Sequence, residues 1–181
     1  MRTIFLILII FFIFTQKNAY TDPKIIKKIS EIENFTFDFD QLINDKKETG
    51  NCIISFNNKM MCKYDETGKL IVSNGKTLLI KNKSSNFANT YKTENTYFKY
   101  FLNKEFLISK IAGNVVEKEQ NFLLLINDQS NQLSIFFDKK NYFIKGWETI
   151  DLYGNKVRSN IIVININQEL SDNIFSLSLY N

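Results

Sequence analysis

The sequence predicts an α+β protein, mainly antiparallel β, with about ten short strands and two or three helices, its sheet closing as a barrel or curling around the helices. Three observations predict it. Apolar and polar residues alternate at a period of two through most of the chain. The apolar runs are short and are punctuated by Asn, Gly, Asp and Lys. Helical spacing appears in only two places. At 181 residues and 44% hydrophobic composition, the chain is the size of one domain.

Met1-Arg2 is a short basic start before an unbroken apolar run of eleven residues, 4–14, and a polar Thr15-Gln16-Lys17-Asn18. A helix needs about 20 apolar residues to span a bilayer, so residues 1–19 read as a secretory signal peptide cut after Ala19. Lys17 occupies the position three residues before the cut, where a small residue is usual, and an uncleaved anchor is the alternative. No Cys lies near the end of the apolar run, so the mature domain, residues 20–181, is expected to be soluble and not lipid-anchored. Loss of Arg2 and Lys17 leaves 21 basic against 19 acidic residues. The lysines are scattered, which argues against nucleic acid as a partner.

Asp22-Pro23 supplies a cap and a first-turn proline, and Ile25, Ile26, Ile29 and Ile32 recur at helical spacing opposite Lys24, Lys27 and Lys28. After Asn34 the period changes to two: Phe35, Phe37 and Phe39 alternate with Thr36, Asp38 and Asp40. Strands follow over 51–56, 60–65, 70–73 and 77–81, the last two joined by Asn74-Gly75, the strongest hairpin signal in the chain. From 96 to 114, Tyr97, Phe98, Phe101, Leu102, Phe106, Leu107, Ile108 and Ile111 have helical spacing and stop at Gly113-Asn114, predicting one or two short helices. Strands resume at 115–116, 121–126, 132–138, 141–150 and 156–167, with turns at Asn127-Asp128, Lys139-Lys140 and Tyr153-Gly154-Asn155.

The composition disfavours catalysis. There is no His, the commonest general base and zinc ligand, and two Cys cannot complete a four-ligand zinc site. No metal or cofactor is expected. The acidic pairs Asp38/Asp40 and Asp65/Glu66 read as solvated strand edges or turns. Seventeen Phe, eight Tyr and one Trp are a large aromatic share for this size; they read either as ordinary burial in a codon-biased chain or as rings lining a cavity. Alternation points Phe37, Phe39, Ile54, Met60, Tyr64, Leu78, Ile135 and Trp147 inward, without separating plain core from cavity wall. If the hairpin around 56–58 pairs Ser55 with Lys59, Cys52 falls opposite Cys62 and a cross-strand disulfide is possible; the alternative is two buried thiols.

The stretch Phe56-Asn57-Asn58-Lys59-Met60-Met61-Cys62-Lys63-Tyr64-Asp65, followed by Leu70-Ile71-Val72-Ser73-Asn74-Gly75-Lys76-Thr77-Leu78, resembles the LolA family of periplasmic lipoprotein carriers. Leu133-Ser134-Ile135-Phe136-Phe137-Asp138, Gly146-Trp147, Asp151, Gly154-Asn155 and Ile174-Phe175 resemble the family's second half, so the likeness runs from about residue 22 to 177. Each motif is only a strand and a turn, and the specificity lies in their order.

The resemblance implies an unclosed (half) β-barrel of about ten to eleven strands covered by two or three short helices, with an apolar cavity between them. It also implies a function: carrying acylated lipoproteins through the periplasm from the inner to the outer membrane. An ATP-driven release complex at the inner membrane would hand over the cargo, and a LolB-like acceptor or the outer membrane itself would receive it; the carrier would act as a monomer. One acyl chain of about fourteen methylenes costs on the order of 11 kcal/mol to expose to water, so unaided diffusion of such cargo is negligible. The family usually has an Arg-Pro pair before the first turn, its arginine implicated in cargo release, where this chain has Phe56-Asn57. After the signal peptide the only arginine is Arg158, and Lys59 would not reproduce a guanidinium's bidentate geometry. A LolB-like acceptor and a sensor module of the same fold are the competing readings; the acceptor should carry a lipidated cysteine after its leader, absent here.

Overall fold

Residues 23–56, 58–85, 87–128, 131–151 and 153–180 are described by the computed structural model. The expected leader, Asp22 and Asn57 lie outside them. Alternation at period two places Phe35, Phe37 and Phe39 on one face of β1 (Asn34–Ile43), which continues through Gln41 and is flanked by β2 (Lys46–Ser55) and the distant β11 (Lys156–Ile166). Beyond β2 come β3 (Lys59–Tyr64), β4 (Leu70–Asn74), β5 (Thr77–Lys81) and β6 (Ala88–Lys92). Beyond β11 come β10 (Ile144–Ile150), β9 (Asn131–Phe137), β8 (Phe122–Asp128) and β7 (Val115–Glu117).

All eleven strands form one antiparallel sheet in the order β6-β5-β4-β3-β2-β1-β11-β10-β9-β8-β7. The two edges do not pair, so the sheet is an unclosed barrel. Chain order then dictates where the helices go. The segment leaving the edge strand β6 must reach the opposite edge strand β7, and it does so through a 3-10 turn (Thr93–Asn95), α2 (Phe98–Leu102) and α3 (Lys104–Ile111). This segment crosses the opening. α1 (Pro23–Ser30) buries Ile25 and Ile29 and packs on α3, which in turn contacts β8. The Asn103 side chain accepts a hydrogen bond from the Phe106 amide at 2.8 Å and caps α3. Helix residues Ile29, Phe101, Leu107 and Ile111 join strand residues Phe35, Phe37, Ile135 and Phe137 in the main core.

A second, smaller core lies on the outer face. After β11 the chain forms two 3-10 turns, Asp172–Phe175 and Leu177–Leu179, that lie over β3 and β4. Phe175 packs there on Met61 and Val72, Lys59 pairs with Asp172 at 2.9 Å, and the Lys81 ammonium donates to the Tyr180 carbonyl at 2.8 Å.

The boundaries differ from the sequence expectation in four places. β1 and β2 extend to a turn at Asn44, with φ of 42°, because the inward positions there are Gln41 and Glu48 and break the apolar alternation. β6 was not expected, since Ala-Asn-Thr-Tyr-Lys on an exposed edge has no apolar face to signal it. Asn127 and Asp128, expected as a turn, remain in β8, paired with Gln132 and Asn131. β10 starts at Ile144, because the Asp138 carboxylate accepts from the amides of Lys140 and Asn141 at 2.7 and 3.0 Å and holds a longer turn; the same two bonds hold the Asp138 pKa below the usual value. No helix among the described residues is long and apolar enough to cross a membrane.

Candidate functional site: the lumen of the half-barrel

Register places the inward residues in cross-strand rows. Phe37 pairs with Cys52, which pairs with Cys62; Phe39 pairs with Gly50, which pairs with Tyr64. Gly50 permits the second row: a Cβ there would lie 2.1 Å from the Lys63 carbonyl oxygen and 2.7 Å from the Phe39 ring, so Phe39 folds over it and its ring sits 4.8 Å from that of Tyr64. Two adjoining cavities lie between this wall and the helices. One, of about 20 Å³, is bordered by Phe37, Phe39, Ile54, Met60, Tyr64 and Trp147, with Phe98 and Phe101 from α2 above them. The other, of about 110 Å³, includes Leu78, Lys69, Tyr97 and Asp151, and the two share Gln41 and Tyr64.

Seven of the eight inward residues therefore border these cavities. Ile135 is fully buried and borders neither. Cys52 and Cys62 lie in the wall of the smaller cavity, directly paired, with Cα atoms 4.1 Å and sulfurs 1.99 Å apart. Larger depressions on the outer side of the sheet, of about 490 and 530 Å³, are bordered by charged residues such as Glu148, Lys156 and Arg158, and Asp38, Asp40 and Asp65. Their polarity does not suit an apolar ligand.

Several residues of the site left no readable signal. Gln41, Glu48 and Ser159 occupy inward positions yet are polar, and only the register reveals them. They form a satisfied network: Ser159 donates to Gln41 Oε1 at 3.1 Å, Gln41 donates to the Tyr64 hydroxyl at 3.4 Å, and Glu48 pairs with Lys69 at 2.7 Å. The Lys69 ammonium also lies 3.8 Å from the centre of the Tyr64 ring. Burial, with Glu48 nearby, pushes the Tyr64 hydroxyl up to about 12 against a hydrogen bond from Gln41 that works the other way. The hydroxyl of Tyr97, the residue that precedes α2, is raised well above the ordinary tyrosine value by its own desolvation, with Tyr64 and Asp151 nearby. The lumen thus has an apolar part, around Phe37, Ile54 and Met60, and a polar end.

Neither Arg158 nor Lys59 reaches this space. Arg158 is in the outer-face row and pairs with Glu148 at 3.1 Å, and Lys59 is held by Asp172. Phe56 is buried and its ring lies 5.7 Å from that of Phe35. A cation approaches it from the cover: the Lys104 ammonium on α3 lies 5.7 Å from the Phe56 ring centre and 2.6 Å from Glu33.

An unclosed antiparallel sheet curved around an aromatic lumen, with short helices laid across its opening, defines a helix-covered half-barrel. The family model described as "Outer membrane lipoprotein carrier protein LolA" matches residues 30–178, and the chain belongs to the LolA family. Among solved structures, a putative outer membrane lipoprotein-sorting protein domain from Vibrio parahaemolyticus shares the fold, with a TM-score of 0.51 at 10% identity over 90% of this chain and 99% of that one. A LolA superfamily protein from Nitrosomonas europaea aligns over 88% of this chain and 99% of its own, at 11% identity and a TM-score of 0.43. No curated protein matches the chain. The family suggests a role in binding or sorting lipoproteins, and its members are periplasmic carrier or binding proteins rather than enzymes.

Proposed function

We propose that this chain is a periplasmic carrier that holds the acyl chains of lipoproteins in the lumen and moves them from the inner to the outer membrane. The observation that carries the reading is the aromatic lumen beneath α2 and α3, in a segment whose two ends are tied to opposite, unpaired edges of the sheet. Cavities that hold a ligand span about 300 to 1,000 Å³, far above the 110 and 20 Å³ here. Acyl chains therefore enter only if the helices lift from the wall. The unpaired edges allow this without breaking the sheet's ladder.

Transfer needs no catalytic group. Rings and Met side chains that pack on each other when the lumen is closed make equally non-directional contacts with methylenes. The energy difference between closed and loaded forms is then small beside the cost of exposing a chain to water. In this reading residues 1–19 are the export signal, 20–181 the mature domain, and the Cys52–Cys62 pair is oxidised after export. The donor is an ATP-driven complex in the inner membrane, and the recipient a LolB-like acceptor or the outer membrane.

The test is release from spheroplasts bearing labelled lipoproteins. Purified protein from residue 20 onward should bring labelled lipoprotein into the soluble fraction in a one-to-one complex. Binding of purified lipoprotein without release would favour an acceptor or sensor, and no binding would refute the assignment.

A further inference from the structure

Among the described residues only two buried side-chain polar atoms have no hydrogen-bond partner: Asn121 Oδ1, which borders neither cavity, and the indole Nε1 of Trp147. Trp147 is 7% exposed and lies in the wall of the smaller cavity. Its row in the sheet is informative. Ile135 pairs with Trp147, Trp147 with Ser159, Ser159 with Gln41, and Gln41 with Glu48. This row runs between the two cavities: Gln41 borders both, Trp147 only the smaller, and Ile43 and Val157 beyond the row border the larger. On one side of it are Phe37, Cys52, Cys62 and Met60, all apolar, and along it stand the polar groups of Ser159, Gln41 and Glu48.

The polar groups of the row already have partners: Ser159 donates to Gln41, Gln41 donates to Tyr64 on the next row, and Glu48 pairs with Lys69. The donor left over is the indole N–H. A buried donor without an acceptor is a standing cost that a ligand acceptor removes. The acceptor must come from a molecule whose remainder is apolar, since the groups next to it are the rings of Phe37 and Phe101, at centroid distances of 6.0 and 4.8 Å. An acyl ester or amide fits this description: a long apolar chain ending in a carbonyl.

We propose that Trp147 Nε1 is the carbonyl anchor of the lumen, donating to the ester or amide that joins an acyl chain to its headgroup, with the chain lying over Phe37 and Met60. The proposal rests on the carrier reading and adds depth control to it. An apolar wall alone would let a chain slide; one donor at the polar boundary fixes how far it enters. It also gives the site a preference for acyl over alkyl lipids, which an apolar cavity alone would not have.

The chain has one tryptophan, so a single indole cross-peak in a nitrogen–proton NMR spectrum reports the group directly. The protein from residue 20 onward is titrated with dioctanoylglycerol and with the matching dioctyl glycerol ether, which has the same chains and no carbonyl. The expected result is a downfield shift of the indole proton with the ester, none with the ether, and about fivefold tighter binding of the ester. Trp147→Phe should abolish that fivefold preference, so that the variant binds the ester and the ether alike, whatever its affinity for both. If both lipids bind alike and the indole proton does not move, the anchor is overturned and the carrier reading stands. An indole proton already shifted upfield in the free protein, and unmoved on binding, would place it against the Phe37 ring and overturn the anchor too. If neither lipid binds, the carrier reading fails with it.

Discussion

Reducing the Cys52–Cys62 pair isolates the contribution of a single cross-link, because both sulfurs stay in the wall and the packing around Phe37 and Met60 is kept. The two cysteines are 10 residues apart in sequence. In the chain-entropy account, closing so short a loop lowers the entropy of the unfolded chain by about 9 cal/mol/K, which is about 2.7 kcal/mol at room temperature. Urea unfolding of small proteins has a slope of about 2 kcal/mol per molar. The midpoint of protein from residue 20 onward should therefore fall by about 1.4 M on reduction. The assay is urea unfolding followed by circular dichroism, with and without a thiol reductant, each sample checked by alkylation and mass spectrometry. Two alkylated cysteines in the unreduced, unfolded protein would show the pair is not bonded. A shift below about 0.3 M with both thiols free after reduction would refute the entropic argument instead.

Gly50→Ala should destabilise by about 1 to 3 kcal/mol, because the new Cβ meets the Lys63 carbonyl at 2.1 Å and the Phe39 ring at 2.7 Å; an unchanged melting temperature would contradict the close approach of β2 and β3. Phe175→Ala removes the 3% exposed anchor of the outer core and should cost about 3 kcal/mol while leaving acyl-lipid binding intact, measured by denaturation and by lipid titration of the same preparation. Tyr64 has a folded pKa of about 12 against an ordinary 10.0, so between those values the unfolded chain loses its proton first. Stability is complete below pH 10 and falls by about 2 to 3 kcal/mol on going to pH 12; Tyr64→Phe should make the fall shallower. Lys104→Met removes the contacts to Glu33 and the Phe56 ring and should speed acyl-lipid exchange about threefold, from roughly 0.7 kcal/mol of lost closure. Stopped-flow transfer of a fluorescent fatty acyl probe would measure it.

Where inward positions are apolar, the sequence is legible. Phe35, Phe37 and Phe39 announce β1, and Asn74-Gly75, with φ of 100° at the glycine, announces the β4–β5 hairpin. The pairing of Cys52 with Cys62 follows from counting back along the hairpin from Ser55 and Lys59. Legibility ends where inward residues are polar. Gln41, Glu48 and Ser159 look like solvent-facing residues, and their burial depends on partners 118 and 21 residues away in the chain, which no local pattern records. β6 was unreadable for the converse reason, being an exposed edge with no buried face. Tyr97, Phe98 and Phe101 show in the sequence only as helical spacing; the helices' route between two sheet edges is what turns their rings toward the cavities.

That route also reconciles the two readings of the aromatic composition. With the helices down, the rings pack on one another: Phe37 edge-on to Trp147 at 6.0 Å, Phe101 against Trp147 at 4.8 Å, Phe35 against Phe37 at 5.4 Å. They are ordinary core. If the helices lift, as the carrier reading requires, the same rings become the wall of a ligand site, and each ring pair worth about 0.5 to 1.5 kcal/mol is exchanged for contacts with methylenes. The 110 and 20 Å³ left between the packed rings are too small for an acyl chain, so loading displaces rings and helices. It follows that substitutions which tighten the closed packing should weaken acyl binding, while those that loosen the cover, such as Lys104→Met, should hasten exchange with little change in fold stability. Substitutions at the cover then change exchange without a matching change in fold stability, which separates a carrier's lumen from a plain hydrophobic core.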